Sequence, residues 1–211
     1  ASCSMSIPPS TLAIASYATA APVAGQGTWE TTLQARDLDN DGAVDAYYDT
    51  SLNISWLANA NVIGQVDFDS AAAWANGLNV AGVGGWHLPT ISIDSCGTTG
   101  SGPVFWNGGG ICGYNPQANT SDMAHMYLTT LGNPSYSGFV DSYGNGPGLS
   151  APLLENSGPF SNLQSYGYWF SLDYAVNPWT GVADTGEAWR YSFYAGRQDN
   201  LDNGELLHAW A

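Results

Sequence analysis

The chain has 211 residues, which is enough for one sizeable domain with a continuous hydrophobic core. Charged residues make up only 10% of it, the formal net charge is −15, and all three basic residues are arginines. Nucleic acid and anionic membrane surfaces repel such a chain, and no run of residues is long enough to span a bilayer. A surface this poor in charge is typical of an extracellular protein that packs against copies of itself or against glycans.

The N-terminal residues 1–26 are mostly Ser, Ala, Pro and Thr. Such a segment cannot form a core of its own, so its host domain or a neighbouring subunit must hold it. Leu12, Ile14 and Tyr17 lie in an alternating stretch, which predicts a strand that augments another sheet, between subunits. We expect an extended segment over 1–26, already freed of a signal peptide, and one domain over 27–211.

The three cysteines are Cys3, Cys96 and Cys112. Cys96 and Cys112 flank a Gly-rich loop and predict a disulfide, which fits an oxidising compartment; the alternative is a set of reduced, partly buried thiols. Cys3 is then left for an intermolecular bond or an exposed thiol.

In the first half of the domain, residues that alternate in polarity from Thr28 to Arg36 predict a strand. A second strand-like run extends over 47–57, after an Asp-rich turn. Asp69-Ser70 predicts the start of a helix with Ala71, Trp74 and Leu78 on one face. The hinge, defined as residues 84–90 (Gly-Gly-Trp-His-Leu-Pro-Thr), follows it. Double Gly permits a tight reversal and Trp86 is an apolar anchor, so we interpret the hinge as core architecture rather than a binding site.

In the second half, Thr120-Ser121-Asp122 predicts the start of a helix that Gly132-Asn133-Pro134 ends. A long irregular loop (134–159) and short aromatic strands over 166–171, 188–194 and 206–210 follow. Two helices among short antiparallel strands indicate an α+β domain. The tryptophans predicted for the core are Trp29, Trp56, Trp74, Trp86 and Trp189.

The ordered motifs Asp-Gly-x-Val-x-Asp, Leu-Asn-Ile-Ser-Trp-Leu, Ala-x-x-Trp-Ala and Gly-Trp-x-Leu-Pro-Thr, with the closing Ala209-Trp210-Ala211, resemble one bacterial family. It is the Lcl C-terminal domain type of collagen-like surface adhesins and of exopolysaccharide-associated exported proteins, and the resemblance covers about Thr28 to Ala211. It implies a C-type-lectin-like fold with long loops, and a non-enzymatic surface or matrix role in bacteria. The calcium-dependent sugar motifs of animal lectins are missing, so the resemblance does not carry sugar binding over.

The Asp-rich turn carries the sharpest chemical signal. Asp37, Asp39, Asp41 and Asp45 are spaced like the first part of a calcium-binding loop, because Ca²⁺ needs several converging oxygen ligands. Tyr48 occupies the closing position, so Asp49 would have to close the site. The alternative is an acidic hairpin turn without Ca²⁺.

Other candidate sites carry weaker signals. His87, His125 and His208 lack zinc-site spacing, no nucleophile elbow occurs, and an enzyme is not expected, although a glycosidase-type carboxylate pair stays open. The loop aromatics that suit glycan contact are Trp106, Tyr114, Tyr136, Tyr143 and Trp179. Asn53 and Asn119 match N-glycosylation acceptors.

Two functions follow from these observations. In the first, the protein is a structural or adhesive subunit of a filament-like extracellular assembly, and residues 1–26 dock on a neighbouring copy. In the alternative, it is a discrete lectin-like module that binds extracellular polysaccharide, with that segment folded on its own domain.

Overall fold

The computed structural model of the chain describes residues 26–91, 113–114, 118–119, 121–134, 154–173 and 186–211. The helices are α1 (Trp29–Thr32), α2 (Phe68–Gly77) and α3 (Asp122–His125), and α3 continues directly into a π-helical segment, Met126–Thr130. The strands are β1 (Leu33–Arg36), β2 (Ala46–Asp49), β3 (Ile54–Leu57), β4 (Gln65–Val66), β5 (Gly113–Tyr114), β6 (Gly167–Asp173), β7 (Glu187–Ser192), β8 (Arg197–Asp202) and β9 (Leu207–His208). This mixture of short helices and sheets is α+β-like, which the sequence predicts.

Two sheets organise these strands. The small sheet is antiparallel, in the order β1-β2-β3. The large sheet has the order β4-β9-β6-β7-β8-β5, and its strands are antiparallel except that β6 and β9 run parallel.

Helices pack against both faces of the large sheet. Neighbouring residues of a strand point to opposite faces, so Tyr168 and Trp169 mark the two sides of β6. Tyr191 is paired with Tyr168 and lies 5.6 Å from the Tyr127 ring of the π-helical segment. On the other face, Trp169 contacts Phe68 of α2 at 5.8 Å between ring centroids. Both sides of the sheet therefore contribute to the core.

A helical turn precedes β1, so the prediction of one strand from Thr28 was wrong in its first half. The Thr28 carbonyl accepts hydrogen bonds from the backbone N–H groups and from the hydroxyls of Thr31 and Thr32. These side-chain bonds favour a turn that an alternating pattern does not reveal. Trp29, which α1 contains, is only partly buried, in contrast to its predicted place in the core.

A reversal divides the predicted strand over 47–57 into β2 and β3. Asp49 causes it, because its carboxylate accepts hydrogen bonds from the backbone N–H groups of Ser51 and Leu52. Asn53 then adopts a left-handed φ of 59°. The local side-chain bonds interrupt an otherwise continuous strand pattern.

The first predicted helix is present with a different cap. Asp67, rather than Asp69-Ser70, is the N-cap and accepts a hydrogen bond from the Ser70 N–H at 2.8 Å. The pattern predicted its buried face in part: Ala71 is fully buried, whereas Trp74 and Leu78 are half-buried against the core. In the hinge that follows, Trp86 is buried, as predicted, and Leu88 is buried as well.

The second predicted helix is confirmed from its cap to its end. The Ser121 hydroxyl accepts a hydrogen bond from the Ala124 N–H, and Gly132 ends the helix with a φ of 67°. Its change to π-helical geometry was not predicted. Neither was β8, because its polar sequence has no apolar alternation, although Gln198 is fully buried. Trp169 and Trp210 complete the core beyond the predicted tryptophans.

We predict that Gly132→Ala destabilises the fold more than Gly82→Ala does. Both glycines have a positive φ, which costs an L-residue about 1–2 kcal/mol. A Cβ at Gly82 would meet nothing within 4 Å, whereas one at Gly132 would lie 2.7 Å from the Gly27 Cα. Denaturant unfolding of the two variants measures the difference. Equal losses of stability would show that residues 27 and 132 are not in close contact.

Candidate functional site

An open groove of about 280 Å³ lies beside β3, at the side of that strand that faces away from β2. Residues 54–56 of β3 form one wall. Residues 83–87 and Pro89 form the opposite wall, and Asp122 and Ala211 border the groove. The hinge therefore contributes Trp86 and Leu88 to the core. It also forms one wall of a groove, which the sequence did not predict.

A tight turn fixes the second wall. Val80 and Val83 exchange two backbone hydrogen bonds, of 3.0 and 2.8 Å, across Ala81 and Gly82. Both central residues have a positive φ, as in the type I′ turn of a two-residue hairpin. The Trp86 Nε1–H then donates to the Val83 carbonyl at 2.9 Å, which holds the Trp86 ring against this turn.

The backbone of the first wall has unpaired groups. The Ala58 N–H faces β2 and donates to Asp45, whereas the Leu57 N–H faces the other way and donates to Ala211. Because these directions alternate along a strand, the N–H and C=O of Ser55 also point away from β2. Among the described residues, none forms a backbone hydrogen bond with Ser55 on that side.

The second wall has unpaired backbone groups as well. In the part of the chain that the structure describes, no backbone hydrogen bond is formed by Gly84, Gly85, Trp86 or His87. An added Cβ at Gly84 or Gly85 would meet nothing within 4 Å, so these glycines leave the wall open. The groove thus separates two stretches of backbone that both retain hydrogen-bonding capacity.

Polar side chains are few in the groove. The Asp122 carboxylate accepts two hydrogen bonds of 2.7 Å from Thr90, one from its N–H and one from its hydroxyl. His87 is exposed, and its Nδ1 lies 2.8 Å from the Leu88 carbonyl. A carbonyl only accepts, so Nδ1 carries the proton there. The groove is therefore largely apolar, and its one carboxylate is already hydrogen-bonded.

A second candidate site lies on the Asp-rich turn. Carboxylate oxygens of Asp37, Asp39 and Asp45 lie within 4.8 Å of one another. Asp37 also accepts a hydrogen bond from the Gly42 N–H at 2.9 Å, and Asp45 accepts one from the Leu38 N–H at 2.8 Å. These bonds keep the three acids together on the loop, with or without a cation.

Two other predicted ligands do not join this group. Asp41 accepts a hydrogen bond from the Ala43 N–H at 2.8 Å and is not part of the cluster. Asp49 lies at the opposite end of β2, fully buried, and accepts a hydrogen bond from the Thr130 hydroxyl at 3.3 Å. The prediction that Asp49 closes a calcium site was therefore wrong, because this carboxylate stabilises the β2–β3 turn instead.

Ser51, His125 and Asp49 meet, but in an order unsuited to catalysis. The Ser51 hydroxyl donates to Asp49 and lies 3.0 Å from the His125 Nε2. In a catalytic triad the imidazole lies between the serine and the carboxylate, whereas here the serine lies between the other two. Its single proton is directed to Asp49, so this set stabilises the β2–β3 turn.

Two of the three arginines share one carboxylate on the large sheet, a feature that sequence reasoning missed. Arg190 binds Asp199 with contacts of 2.7 and 3.2 Å, and Arg197 lies 2.9 Å from the same carboxylate. The cross-strand pairing of β7 with β8 brings them together. Because β8 was not predicted, this pairing was not visible in the sequence.

Most of the other predicted site residues lie outside the described residues. These are the proposed disulfide, Cys96 and Cys112, the inter-subunit residues Cys3, Leu12, Ile14 and Tyr17, and the aromatics Trp106, Tyr136, Tyr143 and Trp179. Tyr114 lies in β5, where only the backbone is described. Asn53 and Asn119 are both exposed, so glycosylation of either stays a prediction.

Comparison with protein-family models, with curated proteins and with solved structures found no match to this chain. Among the helices of the described ranges, none is long and apolar enough to cross a membrane.

We predict that the acidic turn binds Ca²⁺ with a dissociation constant of about 0.1–1 mM, the range of extracellular modules. Calorimetric titration of the chelator-treated protein measures it. Asp39→Asn is expected to abolish binding, and Asp41→Asn, outside the cluster, is the matched control that retains it. Absence of heat at millimolar Ca²⁺, or equal loss in both variants, would contradict a site formed by Asp37, Asp39 and Asp45.

We predict that protonation of His208 destabilises the fold. Burial lowers the pKa of this imidazole below its usual 6.5, with a partial opposing effect from the Gly64 backbone, and its Nδ1 lies 2.9 Å from the Asn61 Oδ1. The unfolded chain then binds the proton more readily, so this contribution is present above pH 6.5 and is lost as the pH falls toward the folded-state pKa. Thermal unfolding between pH 7 and 5.5 is expected to show a shallower slope for His208→Gln than for the natural chain. Identical slopes would refute the effect.

Proposed function

We propose that the protein is a non-catalytic structural subunit of an extracellular or cell-surface assembly. In this assembly, the N-terminal segment (residues 1–26) of one copy docks on the body (residues 27–211) of the next. The proposal includes a C-type-lectin-like fold for the body, which the sequence resemblance supports; the α+β-like mixture of short helices and mostly antiparallel strands is compatible with it. A bacterial origin and an oxidising compartment belong to the same proposal.

The observation that carries the proposal is the division of charge along the chain. All charged residues lie in the body, whose formal net charge is −15, and residues 1–26 contain none. Two bodies repel each other at close range, where salt does not screen their charges. An uncharged, alternating segment approaches a second copy without that repulsion and supplies apolar contact area.

The start of the body gives the segment a fixed origin. The Thr28 N–H donates to the Thr130 carbonyl at 2.9 Å, and Gly27 lies against Gly132 at the end of the π-helical segment. Asn156 donates to the Gln26 carbonyl at 2.9 Å. These contacts fix the C-terminal end of the N-terminal segment to its own body. A segment that links two copies needs such a fixed end.

The lectin-like alternative is supported by one observation, the aromatic and polar character of the groove. Trp86, His87 and Asp122 are residue types that contact sugars, and all three line it. Trp86, however, is only 9% exposed, and Thr90 already occupies hydrogen-bonding positions of Asp122. The groove therefore offers little free aromatic surface for a sugar ring.

We predict that Ile14→Asp prevents assembly, because a charge in the alternating stretch would have to be desolvated when the segment docks. Ala20→Asp adds the same charge outside that stretch and is the matched control. Sedimentation velocity and negative-stain electron microscopy of the purified full chain are expected to show polymers for the natural chain and the control, and monomers for Ile14→Asp.

A monomeric natural chain at every concentration would contradict the structural function. If the natural chain and both variants stay monomeric and bind extracellular polysaccharide equally, the lectin-like function is the correct one.

A further inference from the structure

We propose that the groove between β3 and the hinge is the acceptor for residues 11–17 of a second copy, which enter it as an added strand. This inference rests on the proposed assembly function and names the surface where the N-terminal segment docks. It also assigns the hinge a role in assembly in addition to its role in the core.

Unpaired backbone groups on both walls support an extended occupant. The N–H and C=O of Ser55 point into the groove from the free edge of β3, and no described residue pairs with them there. Across the groove, residues 84–87 have no backbone partner among the described residues either. A strand presents N–H and C=O groups along both of its edges, so one inserted segment can bond to both walls.

The lining favours apolar side chains in alternation. Ile54 and the exposed Val83 supply apolar surface, and Gly84 and Gly85 leave room for an incoming chain. Leu12 and Ile14 are two residues apart, so an extended segment places both on the same side. Their burial in the groove contributes apolar contact, while the backbone bonds to Ser55 fix the register.

Charge disfavours the acidic segments of a second copy as occupants of this groove. The body carries the net charge of −15, and the groove holds the Asp122 carboxylate. An acidic loop would be repelled there, whereas residues 11–17 are uncharged. Insertion of the same segment into its own copy would satisfy the same backbone groups, and a mixing experiment separates the two arrangements.

The first test blocks the groove in the full chain. Gly84→Gln places a side chain in the open groove, and Gly77→Gln is the matched control at the end of α2. A Cβ at either glycine meets nothing within 4 Å, and neither has a positive φ, so both variants are expected to fold with the thermal stability of the natural chain. Gly84→Gln is expected to sediment as a monomer and Gly77→Gln as a polymer. Ser55→Pro, which removes the free-edge N–H, is a second blocking variant and is expected to reduce polymer mass as well.

The second test mixes two variants that cannot polymerise alone. Ile14→Asp retains an intact groove, and Gly84→Gln retains an intact segment. An equimolar mixture is expected to form heterodimers, seen as a species of twice the monomer mass, because one segment enters one groove and no further contact is available.

Each outcome has one meaning. Failure of the natural chain to assemble rejects the proposed function. If the natural chain assembles, Ile14→Asp does not, and Gly84→Gln assembles like Gly77→Gln, the groove proposal alone is rejected and the segment docks elsewhere. If both variants are monomeric and their mixture also stays monomeric, insertion into a second copy is overturned.

Discussion

Packing of Trp210 between the two sheets is the interaction on which the rest of the structure depends. Its ring lies 4.6 Å from Trp56 of the small sheet and 6.2 Å from Tyr168 of the large sheet, and it is fully buried. Its Nε1–H donates to the Leu57 carbonyl at 2.9 Å. Apolar contact and one buried hydrogen bond therefore fix β3 relative to the large sheet. The Leu57 N–H also donates to the Ala211 carbonyl, at 2.8 Å. Ser55, which forms one wall of the groove, lies just beyond the part of β3 that Trp210 and Ala211 hold in place.

Features that depend on near neighbours could be predicted from the sequence. The cap at Ser121, the end of the second helix at Gly132 and the buried Trp86 all follow from residue types within a few positions. The two predicted strands, from Thr28 to Arg36 and over 47–57, were wrong in their extent. Side-chain hydrogen bonds to the Thr28 carbonyl and the Asp49 carboxylate favour turns there, and an alternating pattern of polarity does not reveal such bonds. Of the five predicted calcium ligands in and after the Asp-rich turn, Asp37, Asp39 and Asp45 lie together, whereas Asp41 and Asp49 do not join them, and calcium binding stays a prediction.

The groove could not be predicted, because it depends on contacts between distant parts of the chain. Nothing in the local pattern at Ser55 shows that residues 83–87 lie opposite, or that Ala211 ends beside Leu57. The sequence of the hinge predicts that Trp86 is buried, but it does not show that the same residues also form one wall of the groove. Its glycines allow the reversal and at the same time leave the backbone uncovered, which a sequence pattern does not distinguish.

At Ser55 the edge of β3 carries neither a charge nor a proline to oppose pairing with another chain. Soluble proteins place charges, prolines or bulges on edge strands to prevent such contacts. Residues 54–57, Ile-Ser-Trp-Leu, include none of the charged residues or prolines, whereas β1 at the other edge of the small sheet ends with Arg36. The net charge of −15 on the body already opposes pairing between two bodies. It does not oppose an uncharged segment such as residues 11–17, and the proposed docking of that segment at Ser55 makes use of this difference.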